Sequence, residues 1–306
     1  MANICRLCPR DCGVNREVER GSCNAGEKVT LYRAALHFWE EPCLSGRNGS
    51  GAVFFSGCPL QCVYCQNRII SSGEKGIEVT RKRLVEIFFE LKAEKAENIN
   101  LVTAGHFLPE VIWAVREAKR EGLGLPFVWN SSGYEKREAI KALEGLIDWY
   151  LPDFKYFTSE TAAMYSAAPG YPEIAMDSIE EMVRQRGDGV HVIVRHLLLP
   201  GHVKEACAIV RYLYETYGDS IVLSLMNQYT PMPGINKTYP SLARRVTKRE
   251  YGKLIDFALS IGVTNAFIQE GDTAKSSFIP DFNGKGVYTN REGESLNESD
   301  TYGNLG

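Results

Sequence analysis

From residue 51 onward, short apolar runs alternate with longer amphipathic stretches. The apolar runs predict strands at residues 52–56, 100–103, 127–130, 149–151, 191–198, 221–226 and 266–269. The amphipathic stretches predict helices at residues 81–96, 109–121, 135–143, 174–186, 204–217 and 248–261, with Thr80 as the N-cap of the first. Strands that alternate with helices in this way are typical of a parallel sheet with crossover helices. We therefore predict an α/β fold that is a partial or complete β/α barrel rather than a doubly wound sheet.

The chain divides into three parts by composition. We predict a Cys-rich segment and lead-in at residues 1–50, the barrel at 51–271, and a tail at 272–306. The first segment has no apolar period and is too small to make a core of its own, so something must staple it. The tail is rich in Gly, Asn, Ser and Asp. Residues 278–282 are predicted to dock on the barrel, and the rest of the tail is predicted to be mobile.

Charge and hydropathy limit the partners of the chain. The formal net charge of −3 gives no general attraction to nucleic acid. The N-terminal residues have no apolar stretch of the signal-peptide kind, and no segment approaches the run of about 20 apolar residues that spans a bilayer. We expect a cytoplasmic protein with no nucleic-acid or membrane partner. In that compartment the 9 cysteines point to metal or redox chemistry rather than to disulfides.

Three cysteines directly follow the first predicted strand. Cys58, Cys62 and Cys65 are spaced as Cys-x3-Cys-x2-Cys. Three thiolates can hold three irons of a [4Fe–4S] cluster and leave the fourth iron without a protein ligand. An open position is typical of a catalytic metal site, and S-adenosylmethionine (SAM) could fill it through its amino and carboxylate groups. The alternative is a zinc loop or three buried thiols.

A second cysteine group lies near the N-terminus. Its four thiols, which suit a closed zinc site or a fully ligated [4Fe–4S] cluster, are Cys5, Cys8, Cys12 and Cys23. A closed site would stabilise a segment that cannot fold unaided. A role as an electron relay is the alternative.

Polar residues follow several predicted strands, and in a β/α barrel such strand ends line the mouth of the active site. They include Thr103, His106, Asn130, Ser132, Asp153 and Lys155. Asp153 and Lys155 suit the two charged ends of an amino-acid moiety, although a surface salt bridge would give the same pattern. Arg195 interrupts an otherwise apolar strand, which is unfavourable without an anionic partner and so favours a ligand contact.

The cysteine spacing, with Tyr64 just before the third cysteine, resembles the signature of the radical SAM superfamily. Further motifs cover most of the chain and are similar to those of radical SAM proteins related to the pyruvate formate-lyase activating enzyme. They lie at residues 8–16, 51–67, 130–134, 151–156, 195–201 and 226–229. The resemblance implies a partial (β/α)6 barrel of the radical SAM type, with a [4Fe–4S] cluster and SAM as cofactors.

The resemblance also implies roles for individual residues. Tyr64 would lie near the adenine of SAM, while Asp153, Lys155 and Arg195 would lie at the SAM site. Many family members bind the SAM amino group through a Gly-Gly-Glu-type motif, and the corresponding segment here offers Thr103 and His106. Asn130 and Ser132 are further candidate cofactor contacts.

These features predict an enzyme that cleaves SAM reductively and uses the 5′-deoxyadenosyl radical to abstract hydrogen. The hydrogen donor could be a backbone glycine of a glycyl-radical enzyme or, alternatively, a peptide or small metabolite. A flavodoxin or ferredoxin would supply the electron. An iron–sulfur electron carrier or a zinc-bound scaffold is the alternative from another class, but a carrier needs no barrel cavity.

Overall fold

The structure is a computed structural model that describes residues 4–187, 189–269, 280 and 282–288. Its strands are β1 (Val29–His37), β2 (Ser50–Phe55), β3 (Ile77–Val79), β4 (Ile99–Val102), β5 (Phe127–Ser131), β6 (Trp149–Pro152), β7 (His191–Leu197), β8 (Val222–Met226) and β9 (Ala266–Ile268). They form one sheet in the order β3-β1-β2-β4-β5-β6-β7-β8-β9. Strand β2 and strands β4 to β9 are parallel, while β1 pairs antiparallel with both β2 and β3.

Helices connect the parallel strands. They are α1 (Pro42–Ser45), α2 (Arg68–Ser71), α3 (Arg81–Ala93), α4 (Leu108–Arg120), α5 (Arg137–Lys141), α6 (Ser159–Ser166), α7 (Tyr171–Arg184), α8 (Val203–Tyr217) and α9 (Lys248–Ser260). The Thr80 hydroxyl accepts a hydrogen bond from the Arg83 backbone N–H at 3.1 Å, which confirms the predicted N-cap. Six strand–helix units followed by β9 confirm the partial (β/α)6 barrel. The sheet is open because its two ends, β3 and β9, do not pair with each other in the described part of the chain.

The sequence pattern located the parallel strands well but missed other elements. Every predicted strand ends within two residues of its observed bounds. Strands β1 and β3 and helices α1, α2 and α6 were not predicted. β3 has 3 residues, too few for a periodic pattern to register. β1 lies in the stretch that was assigned to a lead-in, and its antiparallel pairing with β2 is a non-local contact.

The inside of the barrel has an apolar layer below a polar one. Val128, Leu151 and Ile193 lie near the starts of β5, β6 and β7 and pack with Leu44 of α1. Side chains two residues further along a strand face the same side of the sheet. Asn130, Asp153 and Arg195 follow in this way, so they form the next layer toward the strand ends.

The predicted domain boundaries at residues 51 and 272 can be compared with the positions of the elements next to them. The boundary at residue 51 stays a prediction, and β1 joins the same sheet upstream of it. Most of the tail at 272–306, including residues 278, 279 and 281 of the predicted docking segment, lies outside the described residues. Phe282 stacks on Tyr32 with ring centroids 6.2 Å apart and meets Phe54 edge-on at 5.4 Å. Among the described helices, none has the length and apolar character needed to cross a membrane.

Candidate functional site

The three cysteines after β2 lie together, half-buried, at the carboxyl edge of the sheet. We call residues 56–67 the cysteine loop. Burial, reinforced by the neighbouring thiols of Cys62 and Cys65, raises the pKa of Cys58 to about 12. Burial and the thiol of Cys62 also raise the pKa of Cys65. Three soft donors are therefore held together where a positive charge would stabilise their thiolate forms.

The four N-terminal cysteines also converge. Burial raises the pKa of Cys8 to about 11, and the nearby thiols of Cys23, Cys5 and Cys12 add to that effect. A methyl group on Gly21 would lie 3.3 Å from Cys12 Sγ and 3.6 Å from Cys23 Sγ, so glycine leaves room for both sulfurs. Within the described residues, no three His, Cys, Asp or Glu side chains are already drawn together around a single metal ion.

Backbone contacts join the two cysteine groups. The Cys58 N–H donates to the Cys23 carbonyl at 3.1 Å, and Gln61 Nε2 donates to the Ser22 carbonyl at 2.7 Å. Because these bonds tie residues 22 and 23 to the cysteine loop, the N-terminal segment forms one wall of the site.

Arg10 fastens the N-terminal segment to the barrel. Its guanidinium donates to four backbone carbonyls, those of Pro59, Leu60, Ser166 and Ala167, at 2.7, 3.2, 2.8 and 2.5 Å. The same group lies over the Tyr134 ring at 5.4 Å. One side chain thus joins the N-terminal segment to both the cysteine loop and the end of α6.

Gly57 is where the two groups approach most closely. Its φ is +90°, and a methyl group there would lie 2.6 Å from the Cys23 carbonyl oxygen. Gly201 has a similar φ of +86° but nothing within 4 Å of the corresponding position. Comparing alanine substitutions at Gly57 and Gly201 therefore separates the cost of backbone strain, which both share, from the cost of the close contact, which only Gly57 has.

We expect Gly57→Ala to destabilise the protein by about 1–3 kcal/mol more than Gly201→Ala, because a clash is added to the shared backbone strain. Iron incorporation after anaerobic reconstitution should also fall in Gly57→Ala, since the cysteine loop must shift. Melting temperature and iron per chain check both effects. Equal values for the two variants would contradict the close contact.

A charged network fills the polar layer of the barrel. Arg195 donates through Nε to Asp153 Oδ1 at 2.8 Å and through Nη2 to Asn130 Oδ1 at 2.7 Å. Lys155 Nζ donates to Asp153 Oδ2 at 2.5 Å. Arg195 Nη1 also contacts Glu40 Oε2 at 3.4 Å. Four of the residues predicted from the sequence to bind the cofactor, Asn130, Asp153, Lys155 and Arg195, therefore lie in one network.

The surface salt bridge considered for Asp153 and Lys155 is wrong, because their side chains are 16% and 17% exposed. Burial acts to raise the pKa of Asp153, but Arg195 and Lys155 outweigh it and hold the pKa below its usual value. Burial acts to lower the pKa of Lys155, but Asp153 and the nearby Cys62 thiol outweigh it and raise the pKa. The influence of Cys62 on Lys155 shows that the network adjoins the cysteine loop.

Other predicted residues lie outside this network. The Tyr64 ring is buried edge-on against Tyr156, Tyr165 and Tyr229, with centroids 6.2 to 6.4 Å apart. The Ser132 carbonyl accepts a hydrogen bond from the Tyr171 hydroxyl at 2.8 Å. The structure thus shows packing and backbone contacts for Tyr64 and Ser132, and their cofactor roles stay predictions.

The segment after β4 braces the cysteine loop. His106 Nε2 donates to the Ser56 carbonyl at 2.8 Å, since a carbonyl can only accept. Burial lowers the pKa of His106 to about 4, so the ring is neutral at pH 7. Thr103 has a φ of +58°, and its backbone N–H donates to the Asn130 carbonyl at 2.8 Å. Both residues hold strand ends in place, and their contacts with SAM stay predictions.

Sequence reasoning missed several acidic and polar residues of the site. Glu40 and Glu41 enter the barrel from the loop between β1 and β2, and Asn100 and Ser224 are buried on β4 and β8. Burial raises the pKa of Glu40, despite the opposing effect of Arg195. A polar residue inside an apolar strand was the available signal for Asn100 and Ser224, as it was for Arg195.

Glu135 is a further buried carboxyl that sequence reasoning missed. Burial raises its pKa to about 7, although the Ser131 hydroxyl donates to Oε2 at 3.0 Å and acts to lower it. Glu135 therefore titrates near neutral pH beside the strand end that carries Asn130.

The network borders a cavity of about 610 Å³ inside the open barrel. Residues that line it come from the loop between β1 and β2, from the cysteine loop, and from β7, β8 and β9; they include Glu40, Gln66, Asn130, Arg195, Met226 and Gln269. We call this cavity the lumen. A space of this size between a cysteine loop and a charged network suits a small charged ligand.

Comparison with known proteins defines the class. The radical SAM superfamily model matches residues 52–213, more than half of the 306-residue chain. The uncharacterized protein MJ0674 of Methanocaldococcus jannaschii is 30% identical over 262 residues, which cover 83% of this chain and 74% of that protein. The chain belongs to the radical SAM superfamily, whose members use a [4Fe–4S] cluster and SAM.

Solved structures agree with the fold. SuiB of Streptococcus suis bound to S-adenosylmethionine superposes with a TM-score of 0.51 at 13% identity, over 70% of this chain and 48% of SuiB. The FeFe-hydrogenase maturase HydG of Carboxydothermus hydrogenoformans superposes with a TM-score of 0.50 at 13% identity, over 74% of this chain and 55% of HydG. The chain spans about half the length of these two proteins, and the likeness confirms the partial barrel.

Proposed function

We propose that Cys58, Cys62 and Cys65 hold a [4Fe–4S] cluster with one iron open to SAM, and that the protein is an enzyme that cleaves SAM reductively. The observation that carries the proposal is that three half-buried thiols lie together at the carboxyl edge of the barrel, with Cys62 near Lys155. When bound, the reduced cluster would supply one electron to the sulfonium of SAM, which would break the C5′–S bond and give methionine and a 5′-deoxyadenosyl radical able to abstract hydrogen. The lumen of the barrel would enclose this radical.

The chain's own residues fit this pair of cofactors. Three thiolates would carry the negative charge that burial disfavours in the free protein, and iron would compensate it. Lys155, Asp153 and Arg195 offer fixed charges for the amino-acid end of SAM, and Asn130 offers an amide on the same network. Because these side chains are tied to one another, they would orient a ligand with little rearrangement.

Two classes of substrate fit this proposed function. One class is a backbone glycine of a partner enzyme, as in glycyl-radical activation, and the other is a peptide or small metabolite. The open side of the lumen supports access by either class. We propose a flavodoxin or ferredoxin as electron donor. A carrier or scaffold without turnover has no evident use for a charged network beside a 610 Å³ cavity.

The N-terminal group, Cys5, Cys8, Cys12 and Cys23, is proposed to hold a second metal centre. Its convergent thiols support either a zinc ion or an iron–sulfur cluster. Either centre would staple the segment that Arg10 fastens to the barrel. The hydrogen bond from Cys58 to Cys23 supports a relay role for an iron–sulfur centre.

SAM cleavage tests the proposed function. The reconstituted protein, reduced with dithionite under anaerobic conditions, is expected to convert SAM to 5′-deoxyadenosine and methionine in equal amounts, even without substrate. Chromatography of the quenched reaction measures both products, and a sample without dithionite is the control. Absence of 5′-deoxyadenosine from a protein that holds four irons in the first site would favour the carrier or scaffold.

A further inference from the structure

The lumen contains an acidic end, formed by Glu40 and Glu41, where Glu41 has no part in the proposed SAM contacts. Glu40 and Glu41 project into it from the loop between β1 and β2, and Ser224 of β8 lies close to Glu41. Both glutamates are almost fully buried, with Glu41 8% exposed. Two adjacent buried carboxyls are unfavourable unless cations or hydrogen-bond donors compensate them.

The cations of the lumen are largely committed elsewhere. Arg195 pairs with Asp153 at 2.8 Å and with Glu40 at 3.4 Å, and Lys155 pairs with Asp153 at 2.5 Å. Among the described residues, no Lys, Arg or His lies within ion-pair distance of Glu41. Three carboxylates therefore face two cations, and Glu41 is the one that forms no ion pair within the described residues, although the charge of Arg195 acts on it.

Two buried polar groups there have no hydrogen-bond partner within the described part of the chain. One is Glu41 Oε2, and the other is the Asn100 amide, at both its oxygen and its nitrogen. Asn100 is close enough to Glu40 to act on the pKa of that carboxyl. Buried polar atoms are nearly always paired, so the unpaired Oε2 of Glu41, a residue that lines the lumen, points to a ligand. Asn100 is fully buried behind this wall and does not line the lumen itself.

Aromatic side chains stand at the mouth of the acidic end. Phe38 and Trp39 line the same cavity, and each is 54% exposed. An aromatic face beside a carboxylate is a favourable environment for an organic cation. The lumen therefore combines a buried acceptor with an exposed aromatic entrance.

We propose that the acidic end of the lumen binds the ammonium group of the substrate, with Glu41 as its ion-pair partner. The inference rests on the proposed function and adds a substrate class to it. An ammonium has three donors and no acceptor, which matches the free carboxylate oxygen of Glu41. A neutral hydroxyl would leave the third carboxylate uncompensated, and a carboxylate would add a fourth. The ammonium can belong to a small amine or to a lysyl side chain of a peptide.

Calorimetric titration of the reconstituted protein, saturated with SAM, tests the proposal. The probes are n-pentylamine for a small amine, N-acetyl-lysine methylamide for a peptide, and n-pentanol as the neutral control. At least one of the two amines should bind and n-pentanol should not. In Glu41→Gln the Kd of that amine should rise by roughly ten- to a hundredfold, because the charged partner is lost.

Matched variants make the result specific. Glu173→Gln removes the same charge from an exposed position on α7 and should leave the Kd unchanged. Glu41→Asp keeps the charge but withdraws the oxygen, so its Kd should lie between those of the wild type and Glu41→Gln; melting curves check that each variant is folded. Failure of both amines to bind, equal binding of n-pentanol, or an unchanged Kd in folded Glu41→Gln would overturn the subsite. Binding seen only without SAM would assign the carboxylate to SAM and overturn it as well.

The titration does not depend on SAM cleavage, so the two proposals fail separately. Amine binding without 5′-deoxyadenosine formation would contradict the proposed function, whereas 5′-deoxyadenosine formation without amine binding would contradict the subsite alone.

Discussion

Alanine at Cys58, Cys62 and Cys65 together should abolish reductive SAM cleavage, bringing 5′-deoxyadenosine down to the level of a protein-free control. The reason is that these half-buried thiols lie together, with Cys62 near Lys155, so their loss removes the iron ligands that the site offers. Chromatographic measurement of 5′-deoxyadenosine checks the loss. Cys207→Ala, on α8 and outside both cysteine groups, is the control and should keep the wild-type rate.

Metal analysis of the same triple variant identifies what the N-terminal group holds. Retained iron would assign an iron–sulfur cluster to Cys5, Cys8, Cys12 and Cys23, and retained zinc would assign a closed zinc site. The absence of both metals from a folded triple variant would contradict the second centre. Undiminished SAM cleavage by that variant would contradict the first.

Asp153→Ala should have the largest effect on stability, lowering the free energy of unfolding by about 3–5 kcal/mol. Asp153 is the shared anionic partner of Arg195 and Lys155, and all three side chains are largely buried. Its removal leaves buried Lys155 without its ion-pair partner and leaves Arg195 with the longer contact to Glu40. Chemical denaturation of the wild type and the variant measures the difference.

A surface ion pair provides the control for this prediction. Asp177 contacts Arg137 at 3.6 Å and is 67% exposed, so Asp177→Ala should change the free energy of unfolding by less than about 1 kcal/mol. The folded pKa of Asp153 is held below its usual value, so its stabilisation is fully present above the unfolded pKa of about 3.9. The ionisation of Asp153 itself therefore adds no pH dependence to the difference between wild type and Asp153→Ala above about pH 5. Equal effects of the two substitutions would contradict the buried network.

The alternation of apolar and amphipathic runs was sufficient to predict the parallel part of the fold. Strand β7 was predicted at residues 191–198 and is observed at His191–Leu197, because both faces of a parallel strand are covered and its residues are mostly apolar. Arg195 could be predicted as a site residue for the same reason, since a charge in such a strand needs a partner. Asp153 supplies that partner at 2.8 Å.

Features that depend on contacts between distant segments could not be predicted. Glu40 meets Arg195, and Cys23 meets Cys58, across stretches of chain whose local patterns carry no information about each other. The acidic pair before Pro42 was visible in the sequence, but an exposed loop would show the same pattern. Because β1 pairs antiparallel with β2, the loop between them is directed into the inside of the barrel. Leu44 of this loop packs there on the strands.

Electron paramagnetic resonance of the reduced protein tests the central claim most directly. If three thiol ligands leave one iron of a cluster open, adding SAM to the dithionite-reduced protein must change the g-values of the cluster signal, and SAM labelled with ¹⁷O at its carboxylate must broaden it. A reduced cluster at Cys58, Cys62 and Cys65 whose signal is identical with and without SAM would contradict the account.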